Sequence, residues 1–188
     1  ILDSNLIKFK GFYFAINEED KIDYNKFEKF LIDNPHLSRF EKFENFFKNI
    51  RNKNNFKLEL YNALDNYSLF TLKNIKKAQF VLGFESFIKK LKKLNIPLYV
   101  ISATFENDLI EILRYKNILK EFKSVLGSPA NKDINFKKVL KLTKSDNGLS
   151  FGDSKNDYLI SKKYGLDFVF VNYFQDWKNF KKVNDLDY

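Results

Sequence analysis

From Gly83 onward, short apolar runs alternate with amphipathic ones, and this alternation limits the architectures open to the chain more than any other feature. The series reads FESFIKKLKKL, IPLYVIS, ENDLIEILRYKNIL, SVLGS, INFKKVLKLT, LSF, DYLISKKY and, after Gly165, DFVFVN. Short apolar strands separated by helical periods imply parallel β-α-β units with right-handed crossovers. The expected fold class is therefore α/β, with a doubly wound parallel sheet. Ligands of such sheets bind beyond the carboxyl ends of the strands, so the residues just after each strand are the candidates for chemistry.

Residues 12–80 read differently. Aromatic and charged residues recur there at helical spacing, as in FEKFLI and SRFEKFENFFKNI. In the second string Phe40, Phe43, Phe47 and Ile50 fall on one helical face, and Lys42, Glu44 and Lys48 lie elsewhere. This stretch is expected to be all-helical with an aromatic core, and RNKNNFK, residues 51–57, to be a loop between helices. The resulting division places an α/β core at residues 1–10 and 83–188 and a helical insertion at 11–82.

Composition narrows the function classes. With no cysteine, disulfide frameworks, thiolate metal sites and cysteine nucleophiles are excluded, and a reducing cytoplasm is the expected location. No apolar stretch reaches membrane-spanning length and the start lacks a secretory pattern, so no membrane association is expected. The net charge of +9 comes from lysines spread along the whole chain. No basic run is interleaved with aromatics as in a nucleic-acid module, so nucleic acid is not an expected partner. A positive field of this kind suits a small anionic substrate. The chain starts at Ile1 and holds no methionine, so a fragment, or a protein whose methionines are missing from this sequence, is expected.

Three strand ends carry suitable groups. After PLYVI come Ser102, Ala103 and Thr104, then a helix with Glu106 and Asp108 in its first turn. A hydroxyl and backbone N–H groups at a helix start form a phosphate cradle, although serine and threonine there also serve as plain caps. After SVLGSP comes Lys132, whose ammonium suits the same phosphate or simply solvent. After LSF come Gly152 and Asp153, then Ser154 and, four residues past Asp153, Asp157. Glycine permits the turn, and a carboxylate at a strand tip suits a hard cation such as Mg2+, with the second carboxylate orienting the first.

Hydroxyl, lysine and paired aspartates at the ends of successive strands, in VISAT, GSPANK and FGDSKND, resemble the haloacid dehalogenase superfamily of magnesium-dependent phosphatases. Members of the phosphoglycolate-phosphatase and phosphomutase type are the most similar in layout, with residues 11–82 as their helical cap on a Rossmann-like core. The resemblance implies an aspartate nucleophile, an aspartyl-phosphate intermediate, and a second aspartate two positions on as general acid and base. It implies that Ser102 and the Ala103 amide hold the phosphoryl group, with Thr104 beside them. Lys132 would neutralise charge, and Asp153 would ligate Mg2+ with Asp157 in support.

ILDSNLIKFKGF resembles the segment that follows the family's Asp-x-Asp motif, so the nucleophile is expected upstream of Ile1, and Asp3 does not replace it. The alternative is a catalytically silent module binding phosphate or a protein. In the cap, Arg39 could grip an anion bidentately or pair with Glu41, and Asn5, Lys8 and His36 are further candidate contacts. The expected partner is a small phosphorylated metabolite acting on a monomer or homodimer. Hydrolysis and phosphoryl transfer within the substrate, as in a mutase, are both compatible with these motifs.

Overall fold

The structure, a computed structural model, describes residues 1–16, 21–35, 37–144 and 147–171. It divides into two compact units, Ile1–Pro129 and Ala130–Tyr188, each described by itself.

The first unit begins with four helices: α1 (Asn5–Ile16), α2 (Lys21–Asp33), α3 (Arg39–Asn45) and α4 (Lys57–Ile75). The chain enters and leaves this helical segment side by side. Leu2 pairs antiparallel with Phe80, and Asp3 donates its N–H to the Gln79 carbonyl at 3.0 Å. Five rings form the centre of the helical core: Phe12 lies 5.2 Å from Phe43 and 4.6 Å from Tyr67, and Phe27 lies 4.7 Å from Phe46. Tilted and edge-on packing of this kind adds to plain area burial, which explains why so aromatic a segment folds around so few aliphatic residues.

The periodicity of residues 38–50 is correct in outline and shifted in detail. Phe43 and Phe47 are buried as expected, whereas Phe40 is exposed and Phe46 is buried. Phe46, three residues past Phe43, shares its face and packs on Phe27, and the helix continues as a π-helical turn over Phe46–Ile50, in which Arg51 donates its N–H to the Phe46 carbonyl. Lys42 is also buried: its ammonium donates to the Pro35 carbonyl at 3.1 Å and lies 5.4 Å from the centre of the Phe12 ring. Residues 51–56 form the expected non-helical connection.

The rest of this unit is α5 (Phe84–Lys93), β1 (Tyr99–Phe105), α6 (Glu106–Tyr115) and β2 (Ser124–Ser128). β1 and β2 are parallel, and Leu109, Ile112 and Leu113 of α6 are buried with Val100. The second unit repeats the pattern with α7 (Lys132–Thr143), β3 (Leu149–Gly152), α8 (Lys155–Lys163) and β4 (Asp167–Phe170). β3 and β4 are parallel, and Phe136, Ile160, Phe168 and Phe170 are buried. Parallel pairs joined through helices, together with the helical segment, make this an α/β fold of the expected class with a helical cap. No helix among the described residues is long and apolar enough to cross a membrane.

Two predictions follow from this packing. Phe27 has no exposed surface and lies among Phe12, Phe43 and Phe46, so Phe27→Ala should destabilise the protein by about 3–5 kcal/mol in a denaturant titration. On α7, Asp133 accepts from Lys163 at 2.6 Å and from the Tyr164 hydroxyl at 2.8 Å, which hold its carboxyl down to about 2 from the ordinary 3.8. Its contribution to stability is full above the unfolded value and is lost as pH falls through about 2, and solvent screening keeps it small. An NMR titration should show this low midpoint, moving up toward the ordinary range in Lys163→Ala.

Candidate functional site

In the first unit, the end of β1 departs from regular pairing. Ile101 is opposite Leu126, but the next paired residue on β1 is Phe105, opposite Ser128. The residues between, 102–104, are the predicted cradle. Ser102 Oγ accepts the Thr104 N–H at 3.1 Å and donates to Thr104 Oγ1 at 3.1 Å, tying the two hydroxyls into one turn. Ala103 is exposed at its crest. α6 follows directly, and its N-cap, Phe105, contributes no side-chain cap to the first-turn N–H groups.

Arg39 is the first residue of α3, placed there by a capping box in which Ser38 accepts the Glu41 N–H and Glu41 accepts the Ser38 N–H. Glu41 is thus used by the helix start, and Arg39 turns to a partner far away in sequence. Its Nη1 donates to Asp108 Oδ2 at 2.8 Å and to Ser68 Oγ at 2.8 Å. The guanidinium carbon lies 5.1 Å from the centre of the Phe105 ring and 5.6 Å from that of Tyr67. Both charged side chains are only 12% exposed. Burial pushes the Tyr67 hydroxyl well up, Arg39 pulls against this, and Asp108 adds to it. Arg39 therefore joins α3 and α4 to the first turn of α6, immediately after the cradle. Asn5 opens α1, on which Lys8 also lies, and His36 is outside the described residues.

In the second unit, β3 ends at Gly152, Asp153 follows, and Ser154 starts α8 with a second capping box. Asp157 closes that box: its Oδ2 accepts the Ser154 hydroxyl at 2.6 Å and the Ser154 N–H at 3.3 Å. Its other oxygen accepts from Lys132 Nζ at 2.5 Å. Lys132 is the first residue of α7, whose N-cap Asn131 accepts the Ile134 N–H at 2.9 Å. The lysine and aspartate side chains are 21% and 12% exposed. A Cβ on residue 152 would stand 2.3 Å from the Asp157 Cβ, so only glycine lets the strand tip meet this carboxylate.

The second unit thus brings together Lys132 and Asp157 beside the strand tip that carries Asp153. Both Asp157 oxygens are engaged, which makes its observed work the holding of Lys132 and of the α8 start. Asp153 and Asp157 are hard oxygen donors of the type Mg2+ takes, while no three carboxylates or imidazoles cluster as a ready cage among the described residues. Ser154 was legible as a cap from Ser-x-x-Asp; the pairing of Asp108 with Arg39 had no local signal. An Asp-x-Asp string does occur at Asp185 and Asp187, outside the described residues and far in sequence from the position before the cap.

The family profile described as haloacid dehalogenase-like hydrolase matches residues 1–171. No curated protein matches the chain. Among solved structures, a predicted phosphatase from Clostridium acetobutylicum is 17% identical with a TM-score of 0.73, covering 99% of this chain and 88% of its own. A predicted phosphoglycolate phosphatase from Haemophilus somnus is 15% identical with a TM-score of 0.67, covering 89% and 80%. A haloacid dehalogenase-like family protein from Streptococcus pneumoniae is 16% identical with a TM-score of 0.63, covering 90% and 79%. At these identities the likeness is one of fold. The profile match spans all three strand-end motifs and the helical segment between the first and last of its residues, and on that ground the chain belongs to the haloacid dehalogenase-like hydrolases.

Proposed function

We propose that the protein is a magnesium-dependent phosphatase that hydrolyses a small phosphate monoester, a sugar phosphate or another metabolite phosphate. The observation that carries this reading is the Lys132 ammonium held by Asp157, whose own side chain packs on Gly152 at the tip of β3, next to Asp153. A largely withdrawn lysine fixed by a carboxylate is preorganised to meet phosphoryl charge. Two of the similar structures carry names of predicted phosphatases, one of them for phosphoglycolate, which agrees with this chemistry.

The roles are as follows. Ser102 and the Ala103 amide hold the transferring phosphoryl group, with Thr104 bracing the serine hydroxyl. Lys132 offsets negative charge on the nucleophile and the phosphate. Asp153 holds the cation and Asp157 supports it through Lys132 and Ser154. Bound Mg2+ supplies charge neutralisation at the phosphoryl oxygens and lines up the attack. The nucleophilic aspartate of the family, expected upstream of Ile1, attacks phosphorus, the ester oxygen leaves with a proton from the second aspartate, and water then releases phosphate. Residues 11–82 are the cap segment and residues 1–10 and 83–188 the core segment, and a cytoplasmic monomer or homodimer is the working form.

The full-length protein should release inorganic phosphate from p-nitrophenyl phosphate with Mg2+ and not with excess EDTA. Asp153→Ala, shown folded by circular dichroism, should lose about 10²–10³-fold in kcat. Turnover unchanged by that substitution would overturn the assignment of the site, and saturable phosphate binding without turnover of any monoester would point to a silent binding module.

A further inference from the structure

The irregular end of β1 needs an anchor. Between the pairs Ile101 with Leu126 and Phe105 with Ser128, β1 advances four residues and β2 two, so residues 102–104 stand opposite Gly127 alone. A bulge takes its own residues out of the strand ladder and bends the strand, so its conformation depends on what holds it from outside.

Glu106 does so. Its Oε2 accepts the Gly127 N–H at 2.9 Å, a bond across the opening of the bulge from the first turn of α6 to the end of β2. Gly127 is buried, and a Cβ there would stand 2.5 Å from the Thr104 carbonyl oxygen and 2.6 Å from the Glu106 Cα. Backbone meets backbone at this point, which is why the residue is glycine. The choice of an acid beside a phosphate cradle is otherwise unexpected, since a carboxylate works against anion binding.

We propose that Glu106 is a positioning residue for phosphoryl binding: by accepting a hydrogen bond from the Gly127 N–H it fixes the bulge that aims the Ser102 hydroxyl and the Ala103 amide. The proposal rests on the phosphatase reading. It requires an acceptor at this position and not a charge.

The test is a set of three variants of the full-length protein, Glu106→Gln, Glu106→Ala and Glu106→Asp, assayed with p-nitrophenyl phosphate and Mg2+ and followed by amide hydrogen exchange at Gly127. Glu106→Gln keeps an acceptor at the same reach and should retain kcat within about 2-fold, with Gly127 still protected. Glu106→Ala lacks the acceptor and Glu106→Asp is one methylene too short. Both should lose about 10- to 100-fold in kcat with a much smaller change in KM, while exchange at Gly127 rises at least about 10-fold. Wild-type kcat in the alanine and aspartate variants would overturn the proposal, as would a loss in Glu106→Gln equal to theirs. A wild-type protein inert toward every monoester would instead overturn the phosphatase reading. In that case unchanged Gly127 exchange in Glu106→Ala would also remove the anchor, and accelerated exchange would leave it standing as a structural bond.

Discussion

Two parallel strands cannot be joined by a tight turn; the chain must return through a crossover, and both strands then release their following loops at the same end of the pair. Much of the chemistry here follows from that requirement. In the first unit β1 and β2 deliver residues 102–104 and Ser128 to one end, where Glu106 and Gly127 meet. In the second, the end of β3 carries Asp153 toward the start of α8, and α7 begins with the lysine that Asp157 holds. The start of α6, which has no side-chain cap, adds free N–H groups and a favourable dipole for anions, whereas α7 and α8 start with side-chain caps. Side chains that look scattered in sequence are thereby gathered by backbone geometry alone.

Buried charge sets the limits on this arrangement. Lys132 with Asp157 and Arg39 with Asp108 are mostly withdrawn from water, and such pairs are kept only where additional hydrogen bonds satisfy the remaining atoms. Ser154 supplies them for Asp157, and Ser68 for both Arg39 and Asp108. Removing one member of a buried pair costs roughly 3–5 kcal/mol, with the lower end fitting the partial exposure seen here. The aromatic core of the helical segment makes its own demand: it holds Lys42 with the ammonium on the Pro35 carbonyl and over the Phe12 ring.

How far the sequence could be read depends on the range of the interactions. The alternation of strands and helices after Gly83 is a local signal and matches the observed order of elements. The Ser-x-x-Asp boxes at the starts of α3 and α8 are equally local, Glu standing in place of Asp in the first. Where a distant partner decides, local signals fail. β1 runs on to Phe105 because it resumes pairing after the bulge, and nothing near Ser102 announces that. Phe46 is buried and Phe40 exposed because Phe46 meets a ring from a distant helix, Phe27. Arg39 was expected to meet either an anion or Glu41, and it meets Asp108, a residue whose own neighbours suggest only a helix start. Lys132 and the aspartates follow a family pattern visible in sequence, whereas the ion pair joining Lys132 to Asp157 spans 25 residues and has no local signal.

The central claim is aspartyl-phosphate chemistry on this scaffold, and it depends most directly on what precedes Ile1 in the protein as its source makes it. Intact mass and N-terminal sequencing of that protein, set against 22.4 kDa for these residues, answer the question in one measurement. The account predicts additional mass and an Asp-x-Asp motif immediately upstream of Ile1. A mature chain that starts at Ile1, or an upstream segment without that motif, would contradict it.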